Sequence, residues 1–300
     1  MNDRFKISVC FARSKPSAAG LFAVLLAALV CLGGAGCASA PYRYGSRVRL
    51  DDDVTIAYGQ PHVGLDRLAW VAGLPSRILP LHSGVNNHRL SSETSDKLTT
   101  YLQDNQLCDV YVRVNQYDPI GEWGRLTEND RIAPGWRYTV GAVGVLGYTL
   151  FPGRVFGGDL YNPFTNSLYI NSDVPAVVLA EAAYAKDIQS QRLPGPYAAI
   201  SEVPVLALWR HFKAVNDVLG YAQAEQDWEL EREVYRVVYP QLGVHAAGGS
   251  HTTATFFTTM PLYGIPLVAL GGACIGHVAG QTRIAQRSRM LRRHDDSSEE

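Results

Sequence analysis

Apolar and polar positions change period several times along this chain, and each change marks an element. Ser91, Ser92 and Glu93 supply a helix start, and Leu98, Tyr101 and Leu102 then fall on one face of a helix running to Asn105. Val110, Val112 and Val114 alternate with Tyr111 and Arg113, the period of a half-buried strand. Tyr117 to Trp136 is broken by Pro119, Gly121, Gly124, Pro134 and Gly135 and reads as a loop. Tyr138 to Phe151 is apolar but short for a membrane span, so it is expected as a core helix or a segment lying against a membrane.

Turn residues then fill Phe156 to Ser167, and Ser167 to Asn171 forms a short strand. Ser172 or Asp173 is placed to cap a helix from about Val174 to Gln189, with Pro175 tolerated in its first turn. After the break at Leu193 to Pro196, a helical region continues from Tyr197 to about Tyr221, with a kink expected at Pro204. A third helix is expected from Ala224 to Val238, ended by Pro240. Its run of Glu225, Asp227, Glu229, Glu231, Arg232 and Glu233 reads as a solvated face.

The two ends differ from this middle. Arg4, Lys6, Arg13 and Lys15 precede an uncharged apolar run from Ala18 to Leu32, and small residues lead to Cys37. That layout is a secretory signal, and its end resembles the lipobox of bacterial lipoproteins, in which the cysteine is lipidated. Near the other end no Asp, Glu, Lys or Arg occurs from Thr252 through Thr282, and Pro261 to Ala279 is about long enough to span a bilayer. The cluster Arg283, Arg287, Arg289, Arg292 and Arg293 then places the C-terminus in the cytoplasm. Gly272, Gly276 and Gly280 recur every four residues, a flat stripe suited to close helix packing and to oligomerisation; the alternative for this run is a buried glycine-rich helix pair interrupted by Pro266.

These readings divide the chain into a signal at 1–37, a linker at 38–60, a soluble domain at 61–250, a transmembrane helix at 256–281 and a charged tail at 282–300. Two anchors in one bilayer put the protein in the bacterial inner membrane, with its domain facing the periplasm. A net charge of -1 and a pI of about 6.7 give no field for nucleic acid, so none is expected as a partner. Of five cysteines, Cys10 and Cys31 lie in the signal, Cys37 at the lipidation position and Cys274 in the C-terminal apolar run. Cys108 alone remains in the domain, as a buried strand residue, so no disulfide framework is expected.

The candidate chemistry lies in the helix after Asp173. Two His four residues apart on a helix present imidazoles to one zinc ion, and the Glu after the first acts as general base. Here those positions read Ala180, Glu181 and Tyr184. The order of turn, strand, helix, connection and second helix resembles the gluzincin zinc peptidases, in a membrane-associated branch, over roughly Val110 to Tyr239. The likeness is carried by Asp159, Tyr161, Asn162, Pro163 and Asn166, by Ser172 to Ala176, and by Ala185, Lys186 and Asp187.

That resemblance implies an α+β fold, a zincin-like helical domain with a small edge-stranded sheet, joined to the C-terminal transmembrane helix. It also implies a first ligand position at Ala180, the base at Glu181, a second ligand position at Tyr184, a third at His211 and an acidic supporting residue at Asp217. Ala offers no donor atom, and Tyr with His is an unusual zinc pair. Zinc lowers the pKa of bound water from about 15.7 to about 7, roughly 12 kcal/mol of activation that a lone carboxylate does not replace. The reading is therefore an inactive metallopeptidase-like lipoprotein without cofactor, binding a peptide or envelope protein by strand addition at Leu168, Tyr169, Ile170 and Asn171. Two rivals are an active peptidase using His211, Glu181 and a further donor, and a scaffold that self-associates through its glycine stripe. A core helix that is merely alanine-rich explains Ala180 to Tyr184 equally well. His82 with His88, and His245 with His251, have neither helical nor zinc-finger spacing, and Gly248 to His251 lacks a nucleophile elbow.

Overall fold

The computed structural model describes residues 41–45, 54–60, 63–151, 155, 158–201, 204–247 and 265–298. Cys37 and the rest of the expected signal lie outside them, as do residues 256–264 of the expected transmembrane segment. The architecture is α+β. Four short strands, β1 (Ile56–Tyr58), β2 (Tyr111–Val114), β3 (Leu160–Asn162) and β4 (Ser167–Ile170), form one sheet in the order β1-β2-β4-β3. β1, β2 and β4 run parallel, and β3 returns antiparallel to β4 with Tyr161 opposite Leu168.

The period-two pattern of the strands sorts the sheet into two unlike faces. Val112, Val114, Leu168 and Ile170 join the apolar core with α3 (Ser92–Asp104) and α6 (Pro175–Ser190), through Leu98, Leu102, Val178 and Leu179 among others. Tyr111, Arg113, Ser167 and Tyr169 face the other way, under α4 (Pro119–Glu128) and α5 (Ala142–Leu150). Strand β2 is covered on both sides, where the sequence suggested one. The second cover is α4, which forms inside the expected loop because Asp118 Oδ1 accepts from Gly121 N at 3.0 Å and Pro119 fits the first turn.

α3 starts as expected, with Ser91 capping Thr94 N. α6 does not. Its cap position is Val174, and Glu233 Oε2 accepts from Ala176 N at 2.8 Å as a cap from a distant helix. Asp173 instead turns to the start of α3, accepting from Ser91 N, Ser91 Oγ and Thr94 Oγ1. α6 is buried on most sides, which makes it the central helix of the domain.

The region after α6 holds α7 (Pro194–Ser201) and α8 (Pro204–Ala224), and the residues just before Pro204, where a kink was expected, lie outside the described residues. α9 (Trp228–Glu233) passes through a π-helical turn, Val234–Val238, into α10 (Tyr239–Ala246). That turn shifts the hydrogen-bond ladder ahead of Pro240, so the proline sits inside a helix it was expected to end. The acidic face of α9 is also not all solvated. Glu231 is buried, accepting from Tyr235 and Gln223 and pairing with Arg287, while Glu233 caps α6.

Two boundaries move. Within the expected linker, residues 41–45 lie on the domain and Ile56–Tyr58 is a strand of its sheet. Cys108 is half-buried in the turn before β2 and is not in the strand. α1 (Val63–Ala72) and α2 (Leu74–Ile78) fill the stretch whose type the pattern left open.

α11 (Ile265–Ser298) carries the apolar C-terminal run and the arginine cluster on one helix of 34 residues, about 50 Å long. No helix of the described residues is long and apolar enough to cross a membrane. Its glycine stripe is already used within the chain. A Cβ built on Gly272, Gly276 or Gly280 would lie 2.2, 2.3 or 2.0 Å from the backbone oxygen of Gly243, Tyr239 or Tyr235. The stripe therefore seats α11 on α10 and on the π-helical turn before it, and a face so occupied is not open to a second copy.

Candidate functional site

α6 and α8 bring the zincin-like positions together. Ala180 is half-buried and packs on the core. One position on, Glu181 Oε2 accepts a hydrogen bond from Tyr161 N at 3.1 Å. That amide belongs to β3, the sheet edge nearest α6, so the carboxylate holds the edge position that the carbonyl of an added strand would take. One turn further, Tyr184 is buried with its ring edge-on to Tyr161 at 5.7 Å. Arg210, only 3% exposed, places its guanidinium carbon 4.3 Å from the centre of the Tyr184 ring.

His211 stacks on His245, ring centres 4.1 Å apart and planes 13° from parallel, with Arg210 Nη2 3.4 Å from its Nε2. Burial pushes its pKa well below the usual value, and the neighbouring His245 and Arg210 push it further. Stability is therefore complete above the unfolded value of about 6.5 and falls as pH drops below it, since the unfolded chain then takes up a proton that the folded one refuses. Denaturant midpoints measured from about pH 7.5 to about pH 5.5 are expected to fall, and His211→Leu to flatten that slope. An unchanged slope in the variant would locate the effect elsewhere.

Asp217 sits in a different role from the one its position implied. Its Oδ2 receives Lys186 Nζ at 2.7 Å, and its Oδ1 receives Tyr101 Oη at 2.6 Å and Tyr42 Oη at 2.8 Å. Tyr42 also accepts from Lys186 Nζ and lies 3.0 Å from Asn105 Oδ1. Burial raises both tyrosines well above their usual range, with the Asp217 charge adding to it. Burial lowers Lys186, partly offset by the same carboxylate. Beside it, Asp187 pairs with Lys213 and accepts from Tyr197 at 2.5 Å. Lys186 and Asp187 thus tie α6 to α8 and α7.

The expected peptide-binding strand is not available. Leu168, Tyr169 and Ile170 lie in β4, an inner strand hydrogen-bonded on both sides, and Asn171 N is taken by Asp159 Oδ1 at 2.8 Å. The edge lies one strand away because β3 folds back over β4. Two clefts of about 230 and 340 Å³ are present, but neither is lined by Glu181, Tyr184 or His211. Among the described residues no group of three or more His, Cys, Asp or Glu is placed to hold a metal ion.

Sequence reasoning missed a buried charge pair. Glu122 is fully buried, its Oε1 2.5 Å from Arg113 Nε and 2.9 Å from Ser167 Oγ, its Oε2 2.6 Å from Tyr169 Oη. An arginine between two valines of a strand was the available signal. Comparison of the chain with protein-family models, curated proteins and solved structures finds no match.

Proposed function

We propose that this chain is a catalytically inactive, zinc-peptidase-like protein of a bacterial envelope, anchored through a lipidated Cys37 once the preceding signal is removed, that binds a peptide or envelope protein. The observation that carries this reading is Arg210. A permanent cation lies over Tyr184, at a ligand position where an enzyme of this kind would hold a divalent ion. Glu181, the base in that scheme, is hydrogen-bonded to the amide of Tyr161. A partner peptide or envelope protein would meet the surface around β3, with the Glu181 hydrogen bond exchanged for its own.

The full chain, purified in detergent, is expected to hold far less than one zinc per molecule, with a melting temperature unmoved by a chelator. Stoichiometric zinc that disappears in His211→Ala would overturn this reading and favour the active peptidase.

A further inference from the structure

The smaller of the two clefts, about 230 Å³, opens where α6 ends, against the turn after α4 and the turn from β3 into β4. Gln189 on its wall follows Glu181 by eight residues, roughly 12 Å along α6, so the cleft is separate from the zincin-like positions. Arg131 lines it too, and one carboxylate holds both side chains. Arg131 Nη2 lies 2.8 Å from Asp109 Oδ2, and Gln189 Nε2 donates to Asp109 Oδ1 at 3.4 Å. The other end of each side chain is left over. Arg131 Nη1 and Gln189 Oε1 are shielded from water and have no hydrogen-bond partner among the described residues. A shielded donor and a shielded acceptor are each costly to leave unpaired. Gln189 is also loosely held, since its contacts with Asp109 and Asn166 measure 3.4 and 3.5 Å, long for hydrogen bonds.

The rest of the wall sets the chemistry of what fits. Arg192, exposed, adds a second cation, and no Asp or Glu lines the cleft. With Asp109 counted, two cations stand against one carboxylate. Ile132, Tyr161, Pro163 and Ile188 supply an apolar wall. The volume falls below the range of about 300–1,000 Å³ that holds drug-sized ligands, which leaves room for a single residue. An anionic acceptor for Arg131, an N–H donor for Gln189 and an apolar side chain are carried together on the last Cα of a peptide chain. A phosphate offers no N–H, and an internal aspartate or glutamate sets its carboxylate one or two carbons further from its amide.

We propose that this cleft binds the C-terminal residue of a partner peptide, with its carboxylate on Arg131 Nη1, its amide N–H on Gln189 Oε1 and an aliphatic side chain against Ile132 and Ile188. This rests on the peptide-binding reading above, and the experiment separates the two. The full chain in detergent is titrated with N-acetylleucine, with N-acetylleucine amide and with free leucine, followed by saturation-transfer NMR. It is also dialysed to equilibrium against a pool of random-sequence peptides blocked as C-terminal amides. N-acetylleucine is expected to bind, and its amide to bind roughly tenfold more weakly for want of the charge. Arg131→Gln is expected to abolish that difference, and Gln189→Leu to weaken N-acetylleucine by about threefold to tenfold, the worth of one hydrogen bond. Both variants are expected to keep their circular dichroism; Gln189→Leu, which leaves the Asp109 and Arg131 pair in place, decides the case if Arg131→Gln loses its fold. N-acetylleucine that does not bind, that binds no better than its amide, or that binds both variants undiminished overturns the proposal. Retention of the amide pool then leaves the peptide-binding reading standing, and no retention overturns that reading as well. Free leucine binding more tightly than N-acetylleucine would assign the cleft to an amino acid and also overturn the proposal.

Discussion

Arg113→Ala is expected to lower the stability of the domain by about 3–5 kcal/mol, the cost of leaving a buried charge without its partner. Arg113 is 2% exposed and Glu122 fully buried, so water cannot replace the lost guanidinium. The Glu122 carboxylate keeps hydroxyl donors from Ser167 and Tyr169 but loses its counter-charge. Gln116 and Asp118 lose a donor as well, because Arg113 Nη1 reaches both. Desolvating the pair is itself expensive, so the double variant Arg113→Met, Glu122→Leu is expected to recover much of the loss. Urea denaturation of the two variants checks this. A cost for Arg113→Ala below about 1 kcal/mol, the range of exposed pairs, would show that water reaches the site.

Gly276→Ala is expected to detach α11 from α10, and Gly271→Ala on the same helix to leave the contact intact. At Gly276 the added methyl would sit 2.3 Å from Tyr239 O and 2.6 Å from Pro240 Cα. Both obstacles are backbone, so no rotamer change relieves them. Overpacking of this kind costs about 1–3 kcal/mol, and more where nothing can shift. At Gly271 the methyl meets nothing within 4 Å, and the better helix propensity of alanine is worth up to about 1 kcal/mol. Thermal melts and the rate of tryptic cleavage at Arg283 and Arg287 separate the two. Equal behaviour would mean that α11 does not pack through its glycines.

The parts of this fold legible in the sequence are those set by local chemistry. Ser91 caps α3, Leu98, Tyr101 and Leu102 define its buried side, and the turn residues up to Asn166 mark where β4 begins. α4 was hidden because Gly121 and Gly124 mimic loop composition, while its start depends on Asp118 reaching a single amide. Strand order was hidden for another reason. Nothing in Ser167 to Asn171 records that β3 pairs along it, so an edge strand and an inner strand share one local pattern. Long-range partners are equally silent: Glu233 reads as solvated until Ala176 N is found beside it, and the glycine stripe reads as a docking face or as one side of a buried helix pair until α10 is found upon Gly276. Of the candidate site, the helix carrying Glu181 and Tyr184 was legible, and the pairing of Arg210 with Tyr184 was not, since no spacing rule links α6 to α8.

The position of Tyr42 sets how tension would travel through this protein. Its hydroxyl lies among Asp217, Lys186 and Asn105, and its ring meets Tyr44 and Tyr221 edge-on at 4.8 and 5.6 Å. A tug applied upstream of Pro41 would load the contacts of Tyr42 with α3 and α8 before it reached β1. Hydrogen bonds and ring contacts strained side by side must yield together, whereas a sheet edge peeled from one end yields a bond at a time. The tyrosine clasp thus works as a strain relief for the sheet, keeping any drag on the leash away from the strands that the core is built on.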